Sequence, residues 1–368
     1  MKDLEYMNIA IDMALKGRGW TNPNPMVGAV IVKDDEIIST GYHRKYGDLH
    51  AERMAIKNCK KSLQGASLYV TLEPCCHYGL TPPCTEIIVE SGIKRVVIGT
   101  LDPNPKVASK GVQILRDNGI EVVVGILEKE CKDLIKIFSH YIKTKKPYIT
   151  MKYAMTMDGK IATFTGSSQW ITGEIARSEV HKSRHYYSSI MVGVNTVIED
   201  DPMLTSRLDN TKNPIRIICD TNLRTPLASK IVQSSKEVQT IIATCELNST
   251  KHSPYIDMGC EIITVDKYNS HLNILKLVEI IGSLNIDSIL LEGGSTLNWS
   301  ALKSGIVNSV QAYIAPKLFG GVDAKSPIGG LGVEFPNDAI HLTKPTVRFL
   351  GDDILLESEV INRCSQEL

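Results

Sequence analysis

Three short stretches decide how the first half of this chain folds: His50-Ala51-Glu52, Pro74-Cys75 and Cys84. One imidazole and two thiolates can hold a zinc ion on three sides and leave its fourth position open. A carboxylate two residues after the histidine can move protons at that open position. His50 is expected to begin a helix and Cys75 to follow a strand, so the ligands would meet where strand ends face helix starts. The pattern predicts an α/β layer around a zinc site, with His50, Cys75 and Cys84 as ligands and Glu52 as the acid/base.

Strand and helix patterns alternate outward from these stretches, which indicates an α/β fold over the whole chain. Helical spacing is expected around residues 6–14, from residue 50, and over 85–91, 109–118 and 128–142. Strands are expected at residues 27–32, 37–39, 68–72, 95–99, 121–124, 148–153, 189–194, 215–220, 240–244, 261–265, 288–291, 310–315 and 354–360. The basic, polar segment Lys143–Pro147 is the expected boundary between a domain of residues 1–146 and a domain of residues 147–368.

Composition argues against several classes of function. Lys plus Arg and Asp plus Glu both total 41, so the formal net charge is zero, which argues against a nucleic-acid partner. No apolar run approaches the roughly 20 residues that a membrane helix needs, and the first residues do not resemble a signal peptide. We therefore expect no membrane association and a cytoplasmic location. The nine cysteines form an odd, scattered set, which is typical of reduced thiols.

Two other interpretations of the cysteine cluster remain open. The zinc site could be closed and purely structural, with Cys76 or His77 as the fourth ligand. Alternatively, His50 could be a surface residue and the cysteines core residues. The open catalytic site is preferred because a purely structural site has no need of Glu52, and because the His-x-Glu and Pro-Cys elements occur together and in the expected order. Cys76 is expected to be a bystander, since adjacent residues rarely share a tetrahedral ion.

These stretches resemble the deaminase half of the bifunctional riboflavin-biosynthesis deaminase/reductases. The resemblance rests on His50–Glu52, Thr71–Cys75, Thr81–Cys84, Asn22–Gly28 and Asp102–Pro105. It implies a cytidine-deaminase-like, three-layer domain that removes the 2-amino group of 2,5-diamino-6-(5-phosphoribosylamino)pyrimidin-4(3H)-one as ammonia. The substrate-binding residues that it implies in this domain are Asn24, His43, His77, Asp102 and Asn104. Cys76 and Leu80 depart from the family pattern, where Ser and a basic residue are frequent.

The second half offers less by itself. Leu290–Thr296 runs from a predicted strand through Gly293-Gly294 into a predicted helix, and such a turn can present backbone N–H groups to an anion. It is not the dinucleotide fingerprint G-x-G-x-x-G. A tight strand-to-helix connection that binds nothing explains it equally well.

Further motifs in this half resemble the reductase half of the same family, and they span residues 158–160, 167–172, 193–196, 200–202, 204–207 and 315–318. The resemblance implies a dihydrofolate-reductase-like α/β domain in which NADPH reduces the ribosyl group to ribityl. The NADPH contacts that it implies are Ala154, Trp170, Thr196, Asp200, Gly294, Ser295, Thr296, Leu297, Asn298, Trp299 and Ser300. The implied contacts with the phosphorylated substrate are Ser168, Arg184, Leu204, Arg207 and Glu292.

We therefore expect a bifunctional enzyme that uses Zn²⁺ and NADPH to make 5-amino-6-(5-phosphoribitylamino)uracil. The resemblance alone implies the preference for NADPH over NADH and a homo-oligomer. Three alternatives stay open: a nucleic-acid deaminase with an accessory module, a chain that retains one of the two activities, and a zinc-stabilised scaffold without catalysis. Neutral charge argues against a nucleic-acid deaminase. Cys76 and Leu80 keep the loss of one activity open, and Glu52 would have no role in a scaffold without catalysis.

Overall fold

The structure is a computed structural model that describes residues 2–79, 81–104 and 108–361. The chain divides into two compact units, Met1–Lys145 and Lys146–Leu368, one residue from the boundary expected from the sequence. Within the described residues, no helix combines the length and the apolar character needed to cross a membrane.

The first unit is a five-stranded sheet with helices around it. Its strands are β1 (Gly28–Lys33), β2 (Glu36–Tyr42), β3 (Ser67–Leu72), β4 (Arg95–Thr100) and β5 (Glu121–Val124). Its helices are α1 (Lys2–Leu15), α2 (Ala51–Asn58), α3 (Cys84–Glu90), α4 (Lys110–Asp117), α5 (Glu128–Leu134) and α6 (Lys136–Thr144). The strand order is β2-β1-β3-β4-β5, in which β3, β4 and β5 are parallel and β1 is antiparallel to both of its neighbours.

Helix α1 packs directly on β1, and its apolar face explains why. Met7 and Ala10 of this helix are fully buried against Val30 of β1 and Val97 of β4. Gly28 permits the close approach, since a Cβ there would lie 1.9 Å from the carbonyl oxygen of Ala10. The expected helix at residues 6–14 thus belongs to a layer that supports the sheet whose strand ends carry the cysteines.

The second unit contains a nine-stranded sheet and one small hairpin. Its strands are β6 (Tyr148–Thr156), β7 (Ser189–Gly193), β8 (Ile215–Cys219), β9 (Thr240–Thr244), β10 (Glu261–Thr264), β11 (Lys267–Tyr268), β12 (His271–Leu272), β13 (Ser288–Leu291), β14 (Ser309–Ala315), β15 (Thr346–Leu350) and β16 (Asp353–Glu359). Its helices are α7 (Glu174–Tyr186), α8 (Val194–Asp200), α9 (Lys230–Gln233), α10 (Ser249–Asp257), α11 (Ile274–Ser283) and α12 (Ser295–Lys303), with a 3₁₀ turn at Pro336–Asp338.

The order of the large sheet positions the residues that follow its strands. The order is β10-β9-β8-β7-β13-β6-β14-β16-β15, and every neighbouring pair from β10 to β14 is parallel. The carboxyl ends of β8, β7, β13 and β6 therefore lie side by side along one edge, where ligands bind in open α/β sheets. Strand β13 is buried along its whole length, which is typical of a central parallel strand.

The structure differs from the expected elements in several places, among them the β11–β12 hairpin, which was not expected. The helix expected over residues 128–142 is two helices, because Ile135 between them leaves the helical conformation (φ −106°, ψ 14°) and is buried in the core. Strand β15 was not expected from the sequence. Four of its five residues are exposed, so it lacks the alternation of buried and exposed residues by which strands are recognised.

Candidate functional site

The three expected zinc ligands converge in the first unit. His50 lies immediately before α2, Cys84 is the first residue of α3, and Cys75 follows β3. Nδ1 of His50 lies 3.4 Å from Sγ of Cys75 and 3.4 Å from Sγ of Cys84. A tetrahedral zinc ion with Zn–N and Zn–S bonds of about 2.05 and 2.3 Å separates nitrogen from sulfur by about 3.6 Å. The donor set and its spacing therefore fit a zinc ion.

The protonation of the two thiols also fits a cation. The pKa of Cys75 is lowered, first because the Cys84 thiol donates a hydrogen bond to it and then because His50 lies beside it. The backbone N–H of Cys84 donates a further bond to Sγ of Cys75, at 3.3 Å. The pKa of Cys84 is raised, because its thiol holds the shared proton and is buried. The pair thus offers one thiolate before any metal arrives, and zinc binds thiolates rather than thiols.

Glu52 lies within the first turn of α2 and is 3% exposed. Burial raises the pKa of its carboxyl to about 7, with the negative charge of Cys75 adding to the effect. An acid/base works best when its pKa is near the working pH, because it can then both take and return a proton.

Asn24 and His43 lie beside the ligand cluster. Nδ2 of Asn24 is 3.2 Å from Nε2 of His43, and the ring of His43 meets the ring of His50 edge-on with centroids 5.6 Å apart. Nδ1 of His43 bonds to the carbonyl oxygen of Leu49, at 3.1 Å. Burial lowers the pKa of His43, so its imidazole is neutral at neutral pH. The structure thus places two of the expected substrate-binding residues at the zinc site.

Asp102 and Asn104 are held by a buried carboxylate that the sequence analysis missed. Glu73 accepts hydrogen bonds from the backbone N–H groups of Asp102 (3.1 Å), Ser109 (3.0 Å) and Val112 (3.2 Å). Oδ1 of Asp102 accepts from the backbone N–H of Asn104, at 2.8 Å. Glu73 therefore ties Asp102, which follows β4, to Ser109 and Val112 at the start of α4. An acid directly before the Pro74-Cys75 pair was the available signal.

The remaining residues expected in this unit lie around the cluster. His77 is exposed, and its charge acts on Asp102, whose pKa is raised mainly by burial. Thr81, which the sequence analysis did not single out, places Oγ1 3.4 Å from Nε2 of His50. Second partners of this kind orient metal-binding histidines. Leu80 and Pro105 lie outside the described residues.

A pair of serine substitutions tests the ligand set. Cys84→Ser should reduce the zinc content of the purified protein from about one ion per chain towards zero, because serine is a poor zinc ligand. Cys76→Ser should leave the zinc content unchanged, since Cys76 is not part of the convergent cluster. Metal analysis after exhaustive dialysis measures both. An equal loss in the two variants would show that the ligands are a different set.

The second unit has a cavity of about 1310 Å³ at the carboxyl ends of its parallel strands. Gly293 and Gly294 follow β13 and lead into α12, so backbone N–H groups at the start of this helix face a space large enough for a dinucleotide. The expected site residues that line it are Ser168, Thr196, Asp200, Glu292, Gly294, Ser295, Thr296, Leu297, Trp299 and Ser300. Gly330 packs directly against the indole of Trp299: its φ is +75°, and a Cβ there would lie 1.9 Å from the ring.

Glu292 is the charged centre of this site. The guanidinium of Arg184 grips its carboxylate through Nε–Oε1 (2.8 Å) and Nη2–Oε2 (3.0 Å), and Nζ of Lys152 lies 3.4 Å away. Burial by itself would raise the pKa of Glu292, but the two cations lower it to about 2. The remaining Nη1 of Arg184 bonds to the carbonyl oxygen of Thr205. Arg184, expected to contact the phosphorylated substrate, thus directs its guanidinium to Glu292.

Five further expected residues lie outside the cavity lining. Arg207 is exposed, with Nε 3.2 Å from Nε2 of His181, while Leu204 is buried with φ +53°. Trp170 is exposed beneath the guanidinium of Arg177, and Ala154 packs near Tyr313. Asn298 is fully buried and donates to the carbonyl oxygen of Pro327, at 2.9 Å, so its amide fixes the 327–331 loop against α12.

Comparison with known proteins matches both units. Residues 147–356 match the model of the RibD C-terminal domain, and residues 1–100 match the cytidine and deoxycytidylate deaminase zinc-binding region. The chain is 54% identical to the riboflavin biosynthesis protein RibD of Actinobacillus pleuropneumoniae, covering 98% of this chain and 96% of that protein. It is 37% identical to RibD of Escherichia coli K12, covering 97% of this chain and 99% of that protein.

Solved structures agree with these matches. The crystal structure of a diaminohydroxyphosphoribosylaminopyrimidine deaminase/5-amino-6-(5-phosphoribosylamino)uracil reductase from Thermotoga maritima is 39% identical, with a TM-score of 0.87 over 98% of this chain and 99% of that chain. Acinetobacter baumannii RibD, form 1, is 35% identical with a TM-score of 0.87 over the same shares. The first unit is thus cytidine-deaminase-like and the second has the dihydrofolate-reductase-like fold of the RibD C-terminal domain.

Proposed function

The chain belongs to the RibD family of riboflavin-biosynthesis proteins, and we propose on that premise that it catalyses two consecutive steps of this synthesis. The first unit deaminates 2,5-diamino-6-(5-phosphoribosylamino)pyrimidin-4(3H)-one, and the second reduces the ribosyl group of the product to ribityl. One observation carries the proposal: each unit has its own reactive centre. A His/Cys/Cys cluster beside the buried Glu52 serves the first, and the cavity at Glu292 serves the second.

The deamination is assigned to Glu52. His50, Cys75 and Cys84 would hold a zinc ion, which when bound would supply Lewis-acid activation of water near neutral pH. Glu52 takes the proton that the attacking water loses and delivers it to the departing amine, so the 2-amino group leaves as ammonia and oxygen replaces it. Glu52 is buried and lies two residues after His50, so its carboxyl is positioned to serve both transfers.

The pyrimidine is assigned to the residues around the cluster. We propose that Asn24, His43, His77, Asp102 and Asn104 bind it. The neutral imidazole of His43 and the amide of Asn24 can read its polar edge, and Glu73 holds Asp102 and Asn104 in position.

The reduction is assigned to the cavity of the second unit. NADPH, when bound, supplies the hydride for C1′ of the open-chain sugar. We propose that it is held by Ala154, Trp170, Thr196, Asp200 and Gly294–Ser300. The substrate is assigned to Ser168, Arg184, Leu204, Arg207 and Glu292. Arg207 is the exposed arginine of this set and can meet the phosphate directly, whereas Arg184 acts by holding Glu292 in place.

The experiment that tests this function follows ammonia release and NADPH oxidation in parallel with zinc-loaded protein and the phosphorylated diaminopyrimidinone. One ammonia released for each NADPH consumed supports both activities. Ammonia without NADPH oxidation would reduce the second unit to a binding module, and no ammonia would point to another amine substrate.

We also propose that the chain forms a homo-oligomer through strand β15. This strand is the outer edge of the large sheet, and edge strands readily pair with another chain. Val347 and Phe349 are two residues apart, so they share one face of the strand, and they are 55% and 74% exposed. A second copy of the chain would cover both this apolar face and the unpaired edge.

Light scattering after size exclusion checks the oligomer. The unchanged protein should elute as a dimer or larger, and Phe349→Lys should shift it towards the monomer with an unchanged circular-dichroism spectrum. Leu247→Lys is the matched control, because Leu247 is comparably exposed at 79% beyond β9, far along the sheet order from β15. A monomeric unchanged protein, or equal shifts in both variants, would contradict the proposal.

A cytoplasmic location is proposed on the cysteines. All eight of those in the described residues are free thiols, which persist in reducing compartments.

A further inference from the structure

The cavity of the second unit follows the carboxyl ends of three neighbouring parallel strands. It is lined by Glu292 after β13, by Gly193 at the end of β7 and Asn195 after it, and by Thr221, Asn222 and Arg224 after β8. Neighbouring strands lie about 4.8 Å apart, so the turn after β8 is roughly 10 Å along the sheet from Glu292. The cavity therefore has one end at the proposed reaction centre and a second end at the turn after β8.

The charges that line the cavity are mostly neutralised. Among the lining carboxylates, Glu292 is paired with Arg184 and Glu199 is paired with Lys325 at 3.0 Å, whereas Asp200 accepts only a neutral hydrogen bond from Ser168 and keeps its charge. The other lining cations are Arg224 and Lys303, and neither forms an ion pair with any described carboxylate. The cavity thus keeps net positive charge for an anionic ligand.

Arg224 is held in position at the far end. Its Nη2 donates to Oδ1 of Asn195, at 2.8 Å, which fixes the guanidinium between the turns after β8 and β7. One hydrogen bond uses only one of the five N–H donors of an arginine. The remaining N–H donors can form a bidentate contact with a phosphate, to which the planar guanidinium is suited.

Asp220 builds the turn that presents Arg224. It is fully buried, and its Oδ2 accepts from both the backbone N–H and the hydroxyl of Thr225, at 2.7 Å each. Its carbonyl oxygen accepts from the backbone N–H of Leu223. Both neighbours of Arg224 are therefore tied to Asp220, which makes the turn a fixed platform.

The inward direction of Asp220 bears on the kind of dinucleotide that fits. NAD-binding sites commonly place a carboxylate on the ribose 2′-hydroxyl, and NADP-binding sites place an arginine there instead. Asp220 follows β8 directly, but its carboxylate is turned away from the cavity and held by Thr225. A 2′-phosphate at this end would therefore meet the guanidinium of Arg224 rather than the Asp220 carboxylate.

We propose that Arg224 is the residue that selects NADPH over NADH, by binding the 2′-phosphate of a dinucleotide whose nicotinamide lies towards Glu292. The inference rests on the proposed reductase function and adds to it the determinant of cofactor specificity. Asn195 and Asp220 are positioning residues, because they act only by holding Arg224.

Direct binding to the full-length protein tests the assignment without turnover. Calorimetric titrations would use NADP⁺, NAD⁺ and 2′,5′-ADP, a fragment that carries the 2′-phosphate and lacks the nicotinamide. Arg224→Ala should weaken the binding of NADP⁺ and of 2′,5′-ADP by about 10- to 100-fold, as expected for a lost hydrogen bond between charged groups. The binding of NAD⁺ should not change. Arg224→Lys keeps the positive charge but cannot form a bidentate contact. Its affinity for NADP⁺ should lie between those of the unchanged protein and of Arg224→Ala. Arg224 is exposed, so the variants should fold.

Lys303→Ala is the matched control, because Lys303 is the other cation of the cavity without an ion pair, and it should change NADP⁺ binding by less than about twofold. A loss of NADP⁺ affinity in Lys303→Ala rather than in Arg224→Ala would overturn the assignment. Equal weakening of NADP⁺ and NAD⁺ by Arg224→Ala would also overturn it, since the 2′-phosphate would then not be the group recognised. An unchanged protein that binds none of the three ligands would instead remove the proposed reductase function, and this inference with it.

Discussion

Glu52→Gln should lower the rate of ammonia release by about 10²–10⁴-fold, the usual contribution of a positioned acid/base. Glutamine keeps the size and polarity of the side chain but cannot exchange a proton, and Glu52 is the buried carboxyl whose pKa of about 7 allows that exchange. The zinc content should not change, because the convergent donors are His50, Cys75 and Cys84. Ammonia release under single-turnover conditions and metal analysis measure the two quantities.

Two controls make this result specific. NADPH oxidation with the already deaminated intermediate should proceed at the unchanged rate, since Glu52 belongs to the other unit. A variant that loses zinc together with its activity would show that Glu52 helps to hold the ion, and would contradict the acid/base role. Full deaminase activity in the variant would assign the proton transfer to another group.

Glu292→Gln should destabilise the second unit by about 3–5 kcal/mol, the usual effect of leaving a buried charge without its partner. The side chains of Arg184 and Lys152 are only 13% and 12% exposed, so water cannot replace the lost carboxylate. Urea unfolding of the second unit at neutral pH measures the change in the free energy of unfolding.

Glu179→Gln is the matched control for this effect. Glu179 also pairs with two cations, Arg348 and Lys182, but these are 47% and 64% exposed. Pairs on the surface contribute about 0–1 kcal/mol, so the control should lose little stability. Equal losses of unfolding free energy in Glu179→Gln and Glu292→Gln would show that the triad of Glu292, Arg184 and Lys152 stabilises the protein no more than a surface ion pair does.

The stabilisation by Glu292 should depend on pH in one direction. Its pKa is lowered in the folded protein from the usual 4.5 to about 2, so the folded state favours the charged carboxylate. The stabilisation is complete above pH 4.5 and is lost as the pH falls from 4.5 towards 2, by about 3 kcal/mol in total. Glu292→Gln cannot titrate, so the difference between the variant and the unchanged protein should shrink over that range. A difference that stays constant down to pH 2 would contradict the assignment.

Local patterns were enough to predict most strands and the three residues that converge as a His/Cys/Cys cluster. His50 and Cys84 are expected at helix starts because the residues after them have helical spacing, and Cys75 follows a run that favours a strand. A metal demands particular ligand types, so the ligands can be recognised although they lie 25 and 34 residues apart. The site residues of the second unit came from resemblance, because an exposed arginine such as Arg207 looks like any other surface charge in a sequence.

Other features became visible only in the folded chain. The split of the helix at Ile135 and the exposed edge strand β15 leave no periodic signal in the sequence. The pairing of Arg184 with Glu292 joins residues 108 positions apart. It depends on the position of β13 between β7 and β6, and strand order is not recorded in local periodicity.

The sequence by itself determined the α/β class of fold and the donor types of the His50, Cys75 and Cys84 cluster, because alternating strand and helix patterns and metal-binding residue types can be read without the tertiary structure. Tertiary structure alone decided which charged groups are available for binding. It placed the carboxylate of Glu73 on three backbone N–H groups, turned Asp220 inward onto Thr225, and left Arg224 at the cavity with a neutral partner. The physical reason is that the energy of a charge depends on burial and on neighbours brought together from distant positions, and both are properties of the packed chain.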